Sequence, residues 1–279
     1  MQRRRLLTLA PALLPLPWAA GCASLDAPAL EATSGGTPII TTEVAKGQDS
    51  RVLFLVIHYT VANFEASLRI LTRNLVSAHY LLSDETPPRL FRLVDESRRA
   101  WHSGPSAWGE NGRLNSSSVG IEIVHPGFAL RPDGERQYLP FPERQIEVLL
   151  PLVRDIMARH RIRPERVLGH GEVSPQQKED PGPTFPWKRL ADAGLAQPWP
   201  DPMQLAARRA LHEGTLPDIG WFQRQLARHG YRTPQSGQFD EATRRVLMNF
   251  QMRWRPSNYS GQPDAESAAI LDALTAAPA

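Results

Sequence analysis

Val52-Leu53-Phe54-Leu55-Val56-Ile57-His58 sets six consecutive apolar residues directly before a histidine. A run with no polar alternation leaves neither face for water, so it predicts a strand buried on both sides. Such strands belong to sheets covered by helices on each face. The neighbouring segments fit that frame. Asn63 can cap a helix carrying Leu68, Leu71 and Leu75. Residues 78–82 and 90–94 read as further strands, as does Gly120-Ile121-Glu122-Ile123-Val124. From Glu143, the apolar positions Ile146, Leu149, Leu150, Val153, Ile156 and Met157 follow helical spacing. Pro151 inside that helix is expected to kink it. Val167-Leu168-Gly169 forms a short strand leading to His170. The expected fold is α/β, a mixed central sheet flanked by helices, over residues 46–195.

The flanks read differently. Arg3, Arg4 and Arg5 precede an apolar stretch, residues 6–20, that ends in Ala20-Gly21-Cys22. A basic start, a short apolar run and small residues describe a secretory signal over residues 1–21, too short and proline-rich to span a membrane. Cys directly after Gly matches a lipidation site, although Ala19 stands where Leu is usual. Ser24, where Asp would retain the chain at the inner membrane, points to an outer-membrane lipoprotein facing the periplasm of a Gram-negative bacterium. The alternative is an ordinary signal followed by an incidental thiol. Residues 22–45 read as a tether and 196–216, rich in Pro, Ala and Arg, as a linker. Residues 217–279 form a second unit with an internal repeat. Ser236-Gly237-Gln238-Phe239-Asp240 returns as Ser260-Gly261-Gln262-Pro263-Asp264, each Asp positioned as an N-cap. An earlier helix with Ile219, Phe222 and Leu226 stops at Gly230. Three short helices are expected.

Charge and cysteine content exclude some classes. The formal charge of +3 is carried by Arg3, Arg4 and Arg5; without them 29 of the 32 Lys and Arg face 29 Asp and Glu. A neutral chain lacks the basic footprint of phosphate-backbone binding, so nucleic acid is excluded as a partner. With Cys22 the one cysteine, no internal disulfide and no multi-cysteine zinc site can form.

Any metal is then held by His and carboxylates. There is no HExxH, and spacing alone leaves structural roles open for all eight histidines. Position singles out two. His58 and His170 each follow a short apolar strand, and sites in α/β sheets gather at strand ends. Asp180 lies in Lys178-Glu179-Asp180-Pro181-Gly182-Pro183, where Pro181 biases it towards extended backbone, so Lys178 and Asp180 share a side. Two imidazoles and a carboxylate suit zinc and leave a fourth position for water. The alternative is a Pro/Gly turn with solvated charges. Glu122 by itself reads as an outward strand residue between Ile121 and Ile123.

Six segments, in order, carry a family resemblance: Val56-Ile57-His58-Tyr59-Thr60, Val76-Ser77-Ala78-His79-Tyr80-Leu81, Ala100-Trp101-His102-Ser103-Gly104, Val119-Gly120-Ile121-Glu122-Ile123, Gly169-His170 and the stretch 178–183. Together they resemble the zinc-dependent N-acetylmuramoyl-L-alanine amidases, a family that includes phage lysozyme-type amidases and peptidoglycan recognition proteins. The resemblance implies hydrolysis of the amide between N-acetylmuramic acid, ordinary or 1,6-anhydro, and L-Ala of the peptidoglycan stem peptide. It implies one zinc ion held by His58, His170 and Asp180, with Glu122 as the catalytic carboxylate and Lys178 as the second catalytic residue. Tyr59, His102 and Asn115 are expected along the substrate groove, and His79 either there or in the core. Trp101 and Trp187 stack on substrate or fill the core. The C-terminal unit resembles a three-helix peptidoglycan-binding domain through Gly230-Tyr231, Gly237, Phe239-Asp240, Thr243 and Phe250-Gln251, with Pro263 departing from the pattern. The expected partners are peptidoglycan and, through a lipid on Cys22, a membrane; the chain is expected to be a monomer. A non-catalytic wall-binding lipoprotein and a zinc peptidase cutting within the stem peptide are the competing readings.

Overall fold

The computed structural model describes residues 31–276; the signal segment and Cys22 lie outside them. Met1–Gln48 form one unit and Asp49–Ala279 a second. Among the described residues of the first unit there is one isolated bridge, Ala32 to Pro38.

The second unit begins with β1 (Phe54–Tyr59), α1 (Phe64–Arg73), β2 (Tyr80–Leu82), β3 (Leu90–Arg92), β4 (Ala107–Trp108), β5 (Asn111–Gly112) and β6 (Ser118–Ile123). It continues through β7 (Phe128–Leu130), β8 (Arg136–Tyr138), α2 (Glu143–His160), β9 (Val167–Gly169), α3 (His170–Val173) and α4 (Trp187–Asp192). Four helices close the chain: α5 (Pro202–Gly214), α6 (Ile219–His229), α7 (Glu241–Trp254) and α8 (Ala265–Thr275). The main sheet has the order β3-β2-β6-β1-β9. Its four inner pairings are parallel except β2 with β3, so the sheet is mixed, as expected.

Every residue of β1 is buried, and alternation sorts them to two cores. Leu55 and Ile57 join Ile121 and Ile123 of β6 and Ile146, Leu149, Val153 and Ile156 of α2. Phe54 and Val56, on the opposite face, share a core with Phe222 and Leu226 of α6, Val246, Leu247 and Phe250 of α7, and Leu271 of α8. Each such side chain contributes about 1.5–3 kcal/mol of burial. The C-terminal helices therefore supply the second cover that the continuous apolar run requires.

Local signals act as the sequence predicts at several termini. Asn63 accepts from the Ala66 N–H, Asp240 from Thr243 and Asp264 from Ser267. Gly230 ends α6 at φ 137°. Helix α2 runs unbroken through Pro151. That proline and Glu147, whose carbonyl it leaves without a helical donor, are both exposed, so water can satisfy the freed group. Residues 196–216, read as a linker, hold the thirteen-residue helix α5. Asp201 caps it through the Met203 and Gln204 N–H groups, and Pro202 occupies its first turn, where a missing N–H costs nothing.

Candidate active site

Parallel register brings the candidates together. His58 on β1 lies beside Glu122 on β6. Ile57 pairs with Gly169 on β9, so His170 opens α3 next to the end of β1. Asp180 returns to the same place on the loop after α3, held by the Gly171 N–H donating to its carbonyl at 2.7 Å. His58 Nδ1 and His170 Nδ1 are 3.0 Å apart. Asp180 Oδ2 lies 3.3 Å from the first and 3.2 Å from the second. All three residues are buried. A tetrahedral ion bound at about 2.0–2.1 Å separates its ligand atoms by about 3.3 Å, which is the spacing seen here.

The hydrogen-bond chain behind His58 fixes its tautomer. Ser118 donates its hydroxyl to the Leu114 carbonyl at 2.6 Å. Its oxygen therefore accepts from His102 Nε2, 3.1 Å away. His102 Nδ1 is then an acceptor, and the His58 Nε2–H donates to it at 3.0 Å. His170 Nε2 faces the carbonyl of Ser103 at 3.4 Å, which can only accept. Both histidines thus turn a bare Nδ1 lone pair towards the Asp180 carboxylate. Three acceptor atoms converge with no proton between them, an arrangement that a cation satisfies. The site fits zinc in donor type, number and spacing.

Burial sets the charges. It pushes the His58 pKa down to about 4, aided by His170 and opposed by Asp180, so the imidazole is neutral at physiological pH. Burial, and then the Asp180 charge, push Glu122 up to about 8, with Lys178 acting the other way. Glu122 Oε2 is buried without a hydrogen-bond partner among the described residues.

A cleft of about 500 Å³ opens over these groups. Tyr59, Trp101, His102, Glu122, His170, Lys178 and Asp180 line it. His102 is nonetheless buried and bonded to His58, so its main contact is that imidazole. Asn115, expected along the groove, and His79, expected there or in the core, do not line it. His79 is fully buried; its Nδ1 accepts from the Gly120 N–H and its Nε2 meets the Arg98 carbonyl, so both ring nitrogens are spent on the main chain. Asn115 uses Oδ1 to accept from the N–H groups of His102 and Ser103 and from the Ser103 hydroxyl, which shapes the loop carrying His102. Trp187 is core, packed on Phe185. Sequence reasoning missed the cleft residues Arg136 and Glu179, which form an ion pair, and Arg245 of α7. Arg136 and Glu179 are 43 positions apart, and no local signal joins them.

Gly120 lets His102 sit where it does. A Cβ there would lie 2.4 Å from His102 Cγ. Gly120→Ala is therefore expected to displace the ring, to cost about 1–3 kcal/mol of stability and to weaken metal binding, read by thermal melts with and without zinc.

Comparison with known proteins follows the same lines. Residues 48–183 match the family model described as N-acetylmuramoyl-L-alanine amidase, and residues 215–271 match a peptidoglycan binding domain. The chain is 42% identical over 247 residues to N-acetylmuramoyl-L-alanine amidase AmiD of Escherichia coli, covering 86% of this chain and 88% of that one. It is 34% identical over 115 residues to 1,6-anhydro-N-acetylmuramyl-L-alanine amidase AmpD of Haemophilus influenzae, covering 41% and 56% of the two. Among solved structures, E. coli AmiD in complex with anhydro-N-acetylmuramic acid-L-Ala-D-gamma-Glu-L-Lys superposes with a TM-score of 0.78 at 40% identity, covering 87% of this chain and 96% of that one. AmpDh3 of Pseudomonas aeruginosa in complex with anhydromuramic pentapeptide gives 0.76 at 36% identity, covering 84% and 94%.

Proposed function

Since the chain belongs to the N-acetylmuramoyl-L-alanine amidase family, we propose that His58, His170 and Asp180 hold its one catalytic zinc ion, beside Glu122 and Lys178 as the catalytic residues. The enzyme is an N-acetylmuramoyl-L-alanine amidase. The observation that carries the metal assignment is the convergence of two bare Nδ1 atoms and Asp180 Oδ2 at 3.0–3.3 Å.

Zinc held there by His58, His170 and Asp180 would supply a Lewis acid for the lactyl carbonyl and lower the pKa of a bound water molecule to roughly 7. Glu122, with its unpartnered Oε2 at the cleft wall, takes the proton from the attacking water and returns it to the amine of L-Ala as the amide breaks. Lys178 donates to the carbonyl oxygen as negative charge builds on it. His102 keeps the His58 proton on Nε2, so the opposite nitrogen stays free to ligate. His102→Ala is expected to weaken zinc by about 10–100-fold, measured by competition with a chelator.

The bound molecules in both solved relatives are anhydromuramic peptides, and we extend that substrate class to this chain. The peptidoglycan-binding match supports action on wall fragments as well as small muropeptides. We further propose a lipid anchor at Cys22 and an outer-membrane location facing the periplasm, supported by the Arg3-Arg4-Arg5 start, the short apolar run and Ala20-Gly21-Cys22. No helix among the described residues is long and apolar enough to cross a membrane. Mass spectrometry of a digested soluble anhydro-muropeptide tests the reaction. Free stem peptide beginning with L-Ala is expected, lost with chelator and restored by zinc. A shortened peptide still attached to the sugar, or cleavage indifferent to chelator, would overturn the reading.

A further inference from the structure

We propose that helix α7 of the peptidoglycan-binding module is a working part of the metal centre, with Asn249 and Arg253 as positioning residues for the segment that carries His170, Lys178 and Asp180; this rests on the zinc reading above. The segment is a closed loop, tied across its base by the Gly171 N–H and the Asp180 carbonyl. Asn249, 3% exposed, plugs that loop. A Cβ on Gly171 would lie 2.0 Å from Asn249 Oδ1 and 2.9 Å from Glu179 Cα, so only glycine admits the amide. Asn249 Nδ2 donates to the carbonyls of Lys178 at 3.3 Å and Pro175 at 3.5 Å, and to that of Arg245 at 3.0 Å in its own helix.

One turn further along α7, Arg253 grips the other flank. Its Nη1 donates to Glu172 Oε2 at 2.7 Å and to the Val167 carbonyl at 3.1 Å. The same Glu172 oxygen accepts from the Gly169 N–H at 2.7 Å. Arg253 and Glu172 are almost completely buried, and the guanidinium lies 4.1 Å from the Trp187 ring. A buried ion pair adds little net stability over apolar packing. What it adds here is fixed geometry on both sides of His170. Two outer contacts complete the brace: Arg245 Nε donates to the Pro175 carbonyl at 3.1 Å, and Gln176 Nε2 to the Ala242 carbonyl at 3.0 Å. A helix that served wall attachment alone would have no need to hold the main chain of this loop at residues 175 and 178 and of strand β9 at residue 167.

The test separates positioning from wall targeting. In full-length Asn249→Ala, the zinc dissociation constant is expected to rise about 10–100-fold. kcat on a small soluble muropeptide should fall by a similar factor, while binding to intact sacculi stays at the wild-type level. Wild-type zinc affinity and wild-type kcat on the soluble substrate would overturn the proposal. A second measurement needs no variant: hydrogen exchange of the full-length wild-type chain with and without zinc. Coupling is reciprocal, so zinc should slow exchange in residues 171–180 and 245–253 together. Protection confined to 171–180 would overturn it. A wild-type chain that binds no zinc fails the zinc reading first, and this one with it.

Discussion

Glu122→Gln is expected to lose about 10²–10⁴-fold in turnover while zinc stays bound. The substitution keeps the shape of the side chain but removes the carboxylate proposed to move the proton from water to the leaving amine. Loss of a positioned acid–base group costs about 10²–10⁴-fold in rate, and the ligand trio of His58, His170 and Asp180 is untouched. The same variant has a second, opposite effect. In zinc-free enzyme the Glu122 pKa is raised from 4.5 to about 8, by burial first and by Asp180 second. A raised folded-state pKa means that the folded chain keeps a proton that the unfolded chain releases. The stability this brings is present below about pH 4.5 and is lost as pH rises to about 8. Each unit is worth about 1.4 kcal/mol, so the loss amounts to several kcal/mol. Glutamine has no proton to lose. Zinc-free Glu122→Gln should therefore melt higher than zinc-free wild type at pH 8, with the gap closing towards pH 4.5. Activity and melting temperature move in opposite directions, which a merely structural Glu122 would not produce.

Asp180→Ala removes the carboxylate from the metal trio and should cost zinc binding itself. Structural zinc sites hold their ion with about 10–16 kcal/mol, so one ligand's share is about 3 kcal/mol, or on the order of 100- to 1,000-fold in affinity. The loop survives the change, because its closing bond runs between the main chains of Gly171 and Asp180. Metal analysis after gel filtration should show wild-type enzyme with one zinc per chain and the variant with little. Retention of zinc by Asp180→Ala would reassign the third ligand.

Much of this site is legible in the sequence because its parts lie at strand ends. The apolar run 52–57 announces a doubly covered strand, and His58 follows it by position alone. His170 follows β9 for the same reason. The Asp-Pro-Gly stretch at 180–182 carries the third residue of the cluster, Asp180. Less legible is what covers the far face of β1. The run demands a cover, but nothing local says that α6, α7 and α8 provide it, since that depends on contacts nearly two hundred positions away. The chemistry of His102 is hidden for a similar reason. A histidine in a loop looks available to substrate, and only the chain His58–His102–Ser118–Leu114 shows it spending both nitrogens behind the site. Helix α5 was within reach: Asp201-Pro202 is a cap followed by a first-turn proline, although the Pro, Ala and Arg content around it resembles a linker.

Zinc-edge anomalous scattering from crystals of the full-length enzyme tests the central claim most directly. A single peak is expected about 2.0–2.1 Å from His58 Nδ1, His170 Nδ1 and Asp180 Oδ2, with Glu122 and Lys178 facing the open side. A peak bound through His58 Nε2, or one lying away from this trio, would contradict it.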